Sequence, residues 1–422
     1  MITLGPTVRS DHTVGPCQHP PSLSVAACSQ GCPPCEETES LAHVHVSHAR
    51  DVGFERCEFA QLDSIALAFD RGAQRTLVRD CLFRDVGGAA YQLGRWDSAD
   101  ERQHARQERD NTLHNSLIAD VGAEYRGAAA VQVFYAARTL IVHNAIVRSP
   151  YSAISLGWGW GRASYAASNL VEANRVHRYK LKLDDGGCLY TLSDQPGSVV
   201  RRNWCSGQHT TKGGALYPDE GSAHMSWHEN VLERLGGSRW VHIWNSNASK
   251  GATCSELSVT GNFHDTSTLV NSGANITMRA NRLVEPGTAW PPQARAIMAE
   301  AGPVDSPWRG SSAWLELGLD AEAAAALPLQ AGGIYAAPSG QRQPVESRAP
   351  RLAAAPVRAV TDSDDAWCRR VKLEQRVTPG SSWGGLSKAG EAEWMRRRCD
   401  RFFCQPHAME SQGVYTCVPV GS

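Results

Sequence analysis

Thr139-Leu140-Ile141-Val142-His143-Asn144-Ala145-Ile146 decides how the chain folds, because it is one copy of a recurring template. An apolar or Thr residue is followed two positions on by a second apolar residue, three later by Asn or Cys, and two later by another apolar residue. The same pattern reads Val52-Gly53-Phe54-Glu55-Arg56-Cys57-Glu58-Phe59 and Thr76-Leu77-Val78-Arg79-Asp80-Cys81-Leu82-Phe83. Met225-Ser226-Trp227-His228-Glu229-Asn230-Val231-Leu232 and Ile276-Thr277-Met278-Arg279-Ala280-Asn281-Arg282-Leu283 continue it, and weaker copies centre on Asn115, Asn174, Asn203 and Asn262. The markers at 57, 81, 115, 144, 174, 203, 230, 262 and 281 lie a mean of 28 residues apart. Alternating apolar residues predict a strand, and Asn or Cys at a fixed offset predicts a turn stacked coil on coil. An inward Asn can bond the main chain of the coil beside it, so such a column satisfies itself without water. A helical solenoid would need apolar residues three and four apart over segments of ten or more, and these are absent.

The repeat predicts an all-β chain, a right-handed parallel β-helix solenoid of about nine coils over residues 41–305. Spacings beyond roughly 20–25 residues per coil imply loops inserted at one corner, with residues 96–109 and 157–167 the clearest. Residues 1–40 are rich in Cys and Pro, carry no strand pattern and supply no capping coil, which predicts a start that is missing its first portion. Residues 294–300 read as a short helix that caps the far end of the solenoid. The stretch 306–365 reads as a short helix and an Ala/Pro-rich linker, and 366–422 as a small Cys/Trp module.

The 422 residues carry 42 Lys plus Arg against 43 Asp plus Glu, a net charge of -1, which argues against a nucleic-acid or anionic-membrane partner. No apolar stretch is long enough for a membrane-spanning helix, and the first residues lack the basic and apolar regions of a signal peptide. Thirteen cysteines form three groups. Cys17, Cys28, Cys32 and Cys35 include a two-residue gap that zinc sites share, but no second pair or His follows at finger spacing. Cys57, Cys81, Cys188, Cys205 and Cys254 are scattered. Cys368, Cys399, Cys404 and Cys417 predict two disulfides in a module with little core. Sequons at Asn247 and Asn275 add to an expectation of an extracellular or secretory location.

Two consecutive coils carry the chemistry. Asp184-Asp185-Gly186-Gly187-Cys188-Leu189-Tyr190 aligns on Gly213-Gly214-Ala215-Leu216-Tyr217-Pro218-Asp219-Glu220-Gly221, because Tyr190 and Tyr217 each lie 13 residues before their coil marker. One coil apart, about 4.8 Å, the tyrosines would stack. The column is expected to continue through Trp158 in the coil before and His242 or Trp244 in the coil after. Aromatic faces hold sugar rings, and paired carboxylates supply the acid and the base or nucleophile of glycoside hydrolysis. Asp185 and Asp219 are therefore the candidate catalytic pair. Trp158, Trp160, Tyr190, Tyr217, Glu220, His242 and Trp244 are candidate substrate-binding residues. An isolated Asp at a strand end commonly bonds turn amides; what sets these apart is the doubled Gly beside aromatics in adjacent coils. In this alignment Asp219 lies over Leu192, seven residues past Asp185, so a straight strand would part them by over ~20 Å. The pair works only with a sharp turn at Gly186-Gly187; otherwise Asp194 or Glu220 becomes the partner of Asp219. No acidic cluster suits calcium, so neither a metal nor a cofactor is expected.

Ser155-Leu156-Gly157-Trp158-Gly159-Trp160-Gly161, Asp185-Gly186-Gly187 with Tyr190-Thr191-Leu192, Gln195-Pro196-Gly197, Tyr217-Pro218-Asp219-Glu220-Gly221-Ser222 and Asn230 resemble the β-helix proteins of glycoside hydrolase family 141. The resemblance spans roughly residues 40–305 and is most specific over 150–235. That family includes an α-L-fucosidase acting on pectin and a xylanase. The resemblance implies a β-helix fold, a polysaccharide or oligosaccharide substrate, and an acid pair at Asp185 and Asp219. The expectation is a monomeric glycoside hydrolase acting on a cell-wall or matrix polysaccharide. Two other readings stay open: a lyase or epimerase in which Lys180, Lys182 or Tyr190 takes a proton from a uronic acid, and a β-helix that binds carbohydrate without turnover.

Overall fold

A computed structural model describes residues 2–4, 42–245, 253–285, 287–317, 319, 402–406 and 415–419. Its repeating unit is a coil of three short strands, and stacking these coils generates three long sheets, one of ten strands and two of nine. Sheet A holds Ala42–Ser47, Ile65–Asp70, Tyr91–Leu93, Val131–Val133, Ile154–Leu156, Leu189–Thr191, Gly214–Pro218, Arg239–Ile243 and Leu269–Asn271, all parallel. Sheet B runs from Gly53–Glu55 to Thr277–Arg279, and sheet C from Glu58–Leu62 to Arg282–Leu283. This is the right-handed parallel β-helix of nine coils that the repeat predicts, the right hand being the normal one for parallel crossovers. The tenth strand of sheet A corrects the reading of the N-terminal segment. Ile2–Leu4 pairs antiparallel with Ala42–Ser47 and covers the edge that the first coil would otherwise leave open.

The marker residues form the expected ladder between sheets B and C. The Asn144 amide donates to Asn174 Oδ1 at 3.0 Å, and its side-chain amide donates to that same oxygen and to the Leu113 carbonyl. The motif repeats through Asn203, Asn230, Asn262 and Asn281. One marker is displaced: Ser116, not Asn115, occupies the column, accepting from the Cys81 amide at 3.2 Å and donating its own amide to Asn144. Asn115 instead takes the left-handed turn position just before the marker. Every coil has such a residue there, namely Arg56, Asp80, Asn115, His143, Ala173, Arg202, Glu229, Gly261 and Ala280, at φ between 51° and 66°. Left-handed backbone costs non-glycine residues about 1–2 kcal/mol, and the ladder bonds offset it. A second ladder at the corner between sheets A and B uses Asn111 and Asn169, which accept from the Thr76 and Thr139 amides.

The interior is filled by one continuous cluster of inward residues, among them Leu67, Phe83, Ile118, Ile154, Leu189 and Trp227. Cys188 at the start of one sheet A strand and Cys205 on sheet C form a disulfide across this core. The separation of 17 residues between them carries no pairing signal in the sequence.

The helix after the last coil corrects a second expectation. α1 (Pro292–Glu300) does not close the end of the solenoid: Ala294 and Ile297 pack on Trp204, Val231 and Phe263 of the outer face of sheet C. The chain then runs back along that face. The Gly302 amide donates to Ala173, the Val304 amide bonds Asn115, and Trp308 Nε1 donates to the Asp80 carbonyl. In α2 (Ser312–Glu316), Trp314 packs on Leu82, Leu117 and Ala145. Arg175, over the rings of both Trp204 and Trp314, joins the two halves of this strap. The chain divides at residue 331, and in the second unit Phe402–Pro406 and Tyr415–Pro419 pair as an antiparallel hairpin. Cys404 and Cys417 are register partners in that hairpin; Cys368, Cys399, the four N-terminal cysteines, the 320–365 linker and the Asn247 sequon lie outside the described residues.

Candidate active site on the outer face of sheet A

In each sheet A strand the residues that flank the middle one point into the core, so the middle residue points outward. Following the register from coil to coil, the outward residues are Ala68, Gln92, Gln132, Ser155, Tyr190, Tyr217, His242 and Val270. Tyr190 and Tyr217 thus stack as predicted, with ring centroids 5.2 Å apart, edge to face. His242 continues the column and lies flat on Tyr217 at 4.5 Å. Trp158 does not belong to it, because Ser155 is the register partner of Tyr190. Three residues later, Trp158 leaves the strand in the loop of residues 157–167. It joins the same aromatic cluster from the side, with Phe134, Tyr135, Tyr190 and Tyr217. Trp160 packs against Trp158 at 4.9 Å, and the half-exposed Trp244 lies 5.4 Å from His242.

The two carboxylates arrive from opposite edges of the sheet. Asp219 follows the strand Gly214–Pro218 directly and is buried, with Oδ2 accepting from Tyr190 Oη at 2.7 Å. Asp185 precedes the strand Leu189–Thr191. Its Oδ1 accepts from Tyr217 Oη at 3.1 Å, and its Oδ2 pairs with Lys212 at 2.9 Å, both groups being half-exposed. Each tyrosine of the stacked pair therefore reaches a different carboxylate. The turn that this requires is built on stacked glycines. A side chain at Gly187 would meet the Gly214 carbonyl at 2.8 Å and the Tyr217 Cβ at 3.1 Å. The Asp185 carbonyl is tied to Tyr151 Oη at 2.8 Å, and the disulfided Cys188 anchors the strand that follows. On the other edge Gly221, at φ 79°, turns the chain away where a side chain would strike Gly161 at 2.4 Å. Ser193 bridges the Trp158 carbonyl and the Gly161 amide, and Gln195 donates to the Leu156 carbonyl. Ser193 fixes the tryptophan loop, and nothing in its local sequence marks it.

Electrostatics separate the two acids. Burial pushes the Asp219 carboxyl up to about 7, against the lowering effect of the Tyr190 hydrogen bond, with the charges of Asp185 and Glu220 adding to the rise. Asp219 Oδ1 is buried with no protein partner. Burial drives Tyr190 and Tyr217 well above the ordinary phenol range, so both remain hydrogen-bond donors. Burial holds His242 down at about 4, and neither of its ring nitrogens has a partner. Cys254, from the following coil, places its thiol against the Asp219 carbonyl at 3.2 Å.

The other acids of the neighbourhood are placed elsewhere. Asp194 pairs with His224 at 2.8 Å on the corner between sheets A and B. Glu220 is half-buried, and its carbonyl accepts from Ser193. Asp184 accepts from the Lys212 amide at 3.3 Å. Lys180 is fully buried and donates to the Lys212 carbonyl, while Lys182 is exposed. Burial brings Lys180 down to about 7, opposed by the charges of Asp184 and Asp185. Among the described residues no group of three or more His, Cys, Asp or Glu is arranged to hold a metal ion.

The fold and the site define a right-handed β-helix that carries two dissimilar carboxylates and an aromatic column on one outer face. No known protein family and no curated protein matches the chain. A solved structure titled "Glycoside hydrolase" is similar to it, at 26% identity and a TM-score of 0.46. The similarity covers 63% of this chain but only 40% of that one, so the chain spans about two fifths of its neighbour's length.

Proposed function

We propose that the outer face of sheet A is the active site of a glycoside hydrolase acting on a cell-wall or matrix polysaccharide. One observation carries this reading. Two carboxyl groups of opposite character, a buried Asp219 that holds its proton near neutrality and a solvent-facing Asp185 paired with Lys212, converge on one stacked tyrosine pair. Pairs of titratable groups whose surroundings push them apart divide acid and base roles between them. Asp219 donates its proton to the leaving-group oxygen. Asp185 acts on the sugar carbon from the other side, as base on a water or as nucleophile. Tyr217 orients it by donating to Oδ1, and His242, neutral and stacked on Tyr217, extends the apolar floor under the ring.

The lyase reading has less support, because Lys180 is sealed against main-chain carbonyls and Tyr190 is an unusually weak acid. Product analysis separates the alternatives. Wild-type protein should release new reducing ends from wall polysaccharide without forming ultraviolet-absorbing unsaturated sugars. Asp219→Asn should lower turnover by about two to four decades while leaving the far-ultraviolet spectrum unchanged. Unsaturated products, or an Asp219→Asn variant with full activity, would refute the assignment.

A further inference from the structure

Next to the acid pair, towards the N-terminal coils, the outward column of sheet A continues through Ser155 and Gln132. Both are 1% exposed, although they sit on an outer face. The Ser155 hydroxyl and both ends of the Gln132 amide are buried without any hydrogen-bond partner. Buried polar groups are normally satisfied, and three orphaned atoms on consecutive rungs call for an explanation. Inward residues on the same strands (Val131, Val133, Ile154 and Leu156) are packed in the core, so the orphans do not belong to the interior network. The outer face is closed over by side chains from loops. Ala68 packs with Tyr125 and Ala128, and Ala99, Phe134 and Tyr135 gather around Trp158. None of the outward residues from Ala68 to Tyr217 is charged, whereas Lys212 and Arg239 lie in the coil of Tyr217 and the one after it.

We propose that Gln132 and Ser155 form a second sugar subsite, which recognises the hydroxyls of a neutral pyranose unit adjoining the bond to be cleaved. This rests on the glycoside hydrolase reading of the neighbouring acids. A carboxamide offers a donor and an acceptor side by side, which matches adjacent hydroxyls on a ring, and the serine hydroxyl adds a third contact. The rungs are about 4.8 Å apart, so the subsite directly adjoins Tyr190. The column carries no cation here, and the arginines of the covering loops, Arg95 and Arg162, are paired with Asp97 and Asp100, so a uronate or sulfated unit would leave its charge uncompensated. The closed state carries the cost of the orphaned atoms, and a sugar entering beneath the loops relieves it.

The test uses the full chain and two variants, Gln132→Leu and Ser155→Ala, with neutral xylan oligosaccharides and acidic oligogalacturonides as probes. Replacing an unsatisfied polar group by an apolar one of similar shape stabilises a fold, so Gln132→Leu should melt a few degrees higher than wild type. The same variant should bind the neutral oligosaccharides about tenfold more weakly, with Ser155→Ala in the same direction. Neither variant should change the binding of oligogalacturonides. A lower melting temperature in Gln132→Leu would show that the amide holds the fold together and would overturn the proposal. Unchanged neutral-sugar binding would overturn it while wild-type release of reducing ends leaves the hydrolase reading standing. If wild type binds neither probe and releases nothing, both readings fall together. Tighter wild-type binding of the acidic probe would refute the neutral subsite alone.

Discussion

Asp219 keeps its proton because burial costs its charged form more than the Tyr190 hydrogen bond returns, and this balance can be altered at a single atom. The Tyr190 hydroxyl stabilises the carboxylate, so removing it should raise the Asp219 pKa further. If Asp219 is the acid, activity in wild type declines as pH rises through about 7, where the proton is lost. Tyr190→Phe should move that alkaline limb to higher pH, and a pH–kcat/KM profile reads the displacement. A limb that stays in place would detach Tyr190 from the acid. Asp185 is governed differently, by an exposed ion pair with Lys212 that solvent and salt screen. Lys212→Met should therefore change folding stability little, by roughly 0–1 kcal/mol, while lowering turnover if the ammonium positions Asp185. Parallel denaturant and kinetic measurements would show a structural lysine instead if stability falls and turnover does not.

At the scale of single elements, the asparagine ladder is legible because the marker keeps one offset from the apolar residues on either side of it, however long the loops elsewhere in the coil. What blurred it was one substitution. Ser116 fills the column with a shorter side chain, and the adjacent Asn115, placed at the left-handed turn, imitates the marker. The stacking of Tyr190 on Tyr217 was legible for a related reason, since both strands reach their ladder residue by equal paths. Trp158 is no part of the column because the loop of residues 157–167 lengthens the path from Ser155 to Asn174, so counting back from the marker stops short of the strand, inside the loop. Gln132 and Ser155 were invisible, because a polar residue between apolar ones reads as an ordinary solvent-facing position. The ladder itself makes a sharp prediction. Asn203 Oδ1 accepts two bonds from Asn174, and its side-chain amide donates to the Val171 carbonyl and to Asn230. Asn203→Ala would orphan several buried groups and should cost about 3–5 kcal/mol, read by urea unfolding. A loss below about 1 kcal/mol would mean that the column contributes shape rather than stability.

Over the whole molecule, a stiff stack of coils presents both edges of sheet A as platforms for loops, and it therefore brings Asp185 and Asp219, from successive coils, onto one face. The disulfide between Cys188 and Cys205 fixes the strand that carries Tyr190, and the strap from Gly302 to Trp314 binds the early coils to the late ones from outside. That strap has no repeat, so periodicity does not reveal it, and an isolated helical pattern at 294–300 reads as an end cap. The proton on Asp219 is the claim on which the functional reading depends, and global stability reports it. A carboxyl whose folded pKa is raised favours the folded state while protonated. That advantage is lost as pH climbs from the unfolded value of 3.8 to about 7. The decisive measurement is the free energy of unfolding of wild type and Asp219→Asn from pH 4 to 8. The variant should gain on wild type steadily across this range, by up to ~4 kcal/mol, and the difference should level off above about pH 7. Two curves that run parallel from pH 4 to 8 would mean that Asp219 ionises like any surface carboxylate, and would contradict its role as the acid.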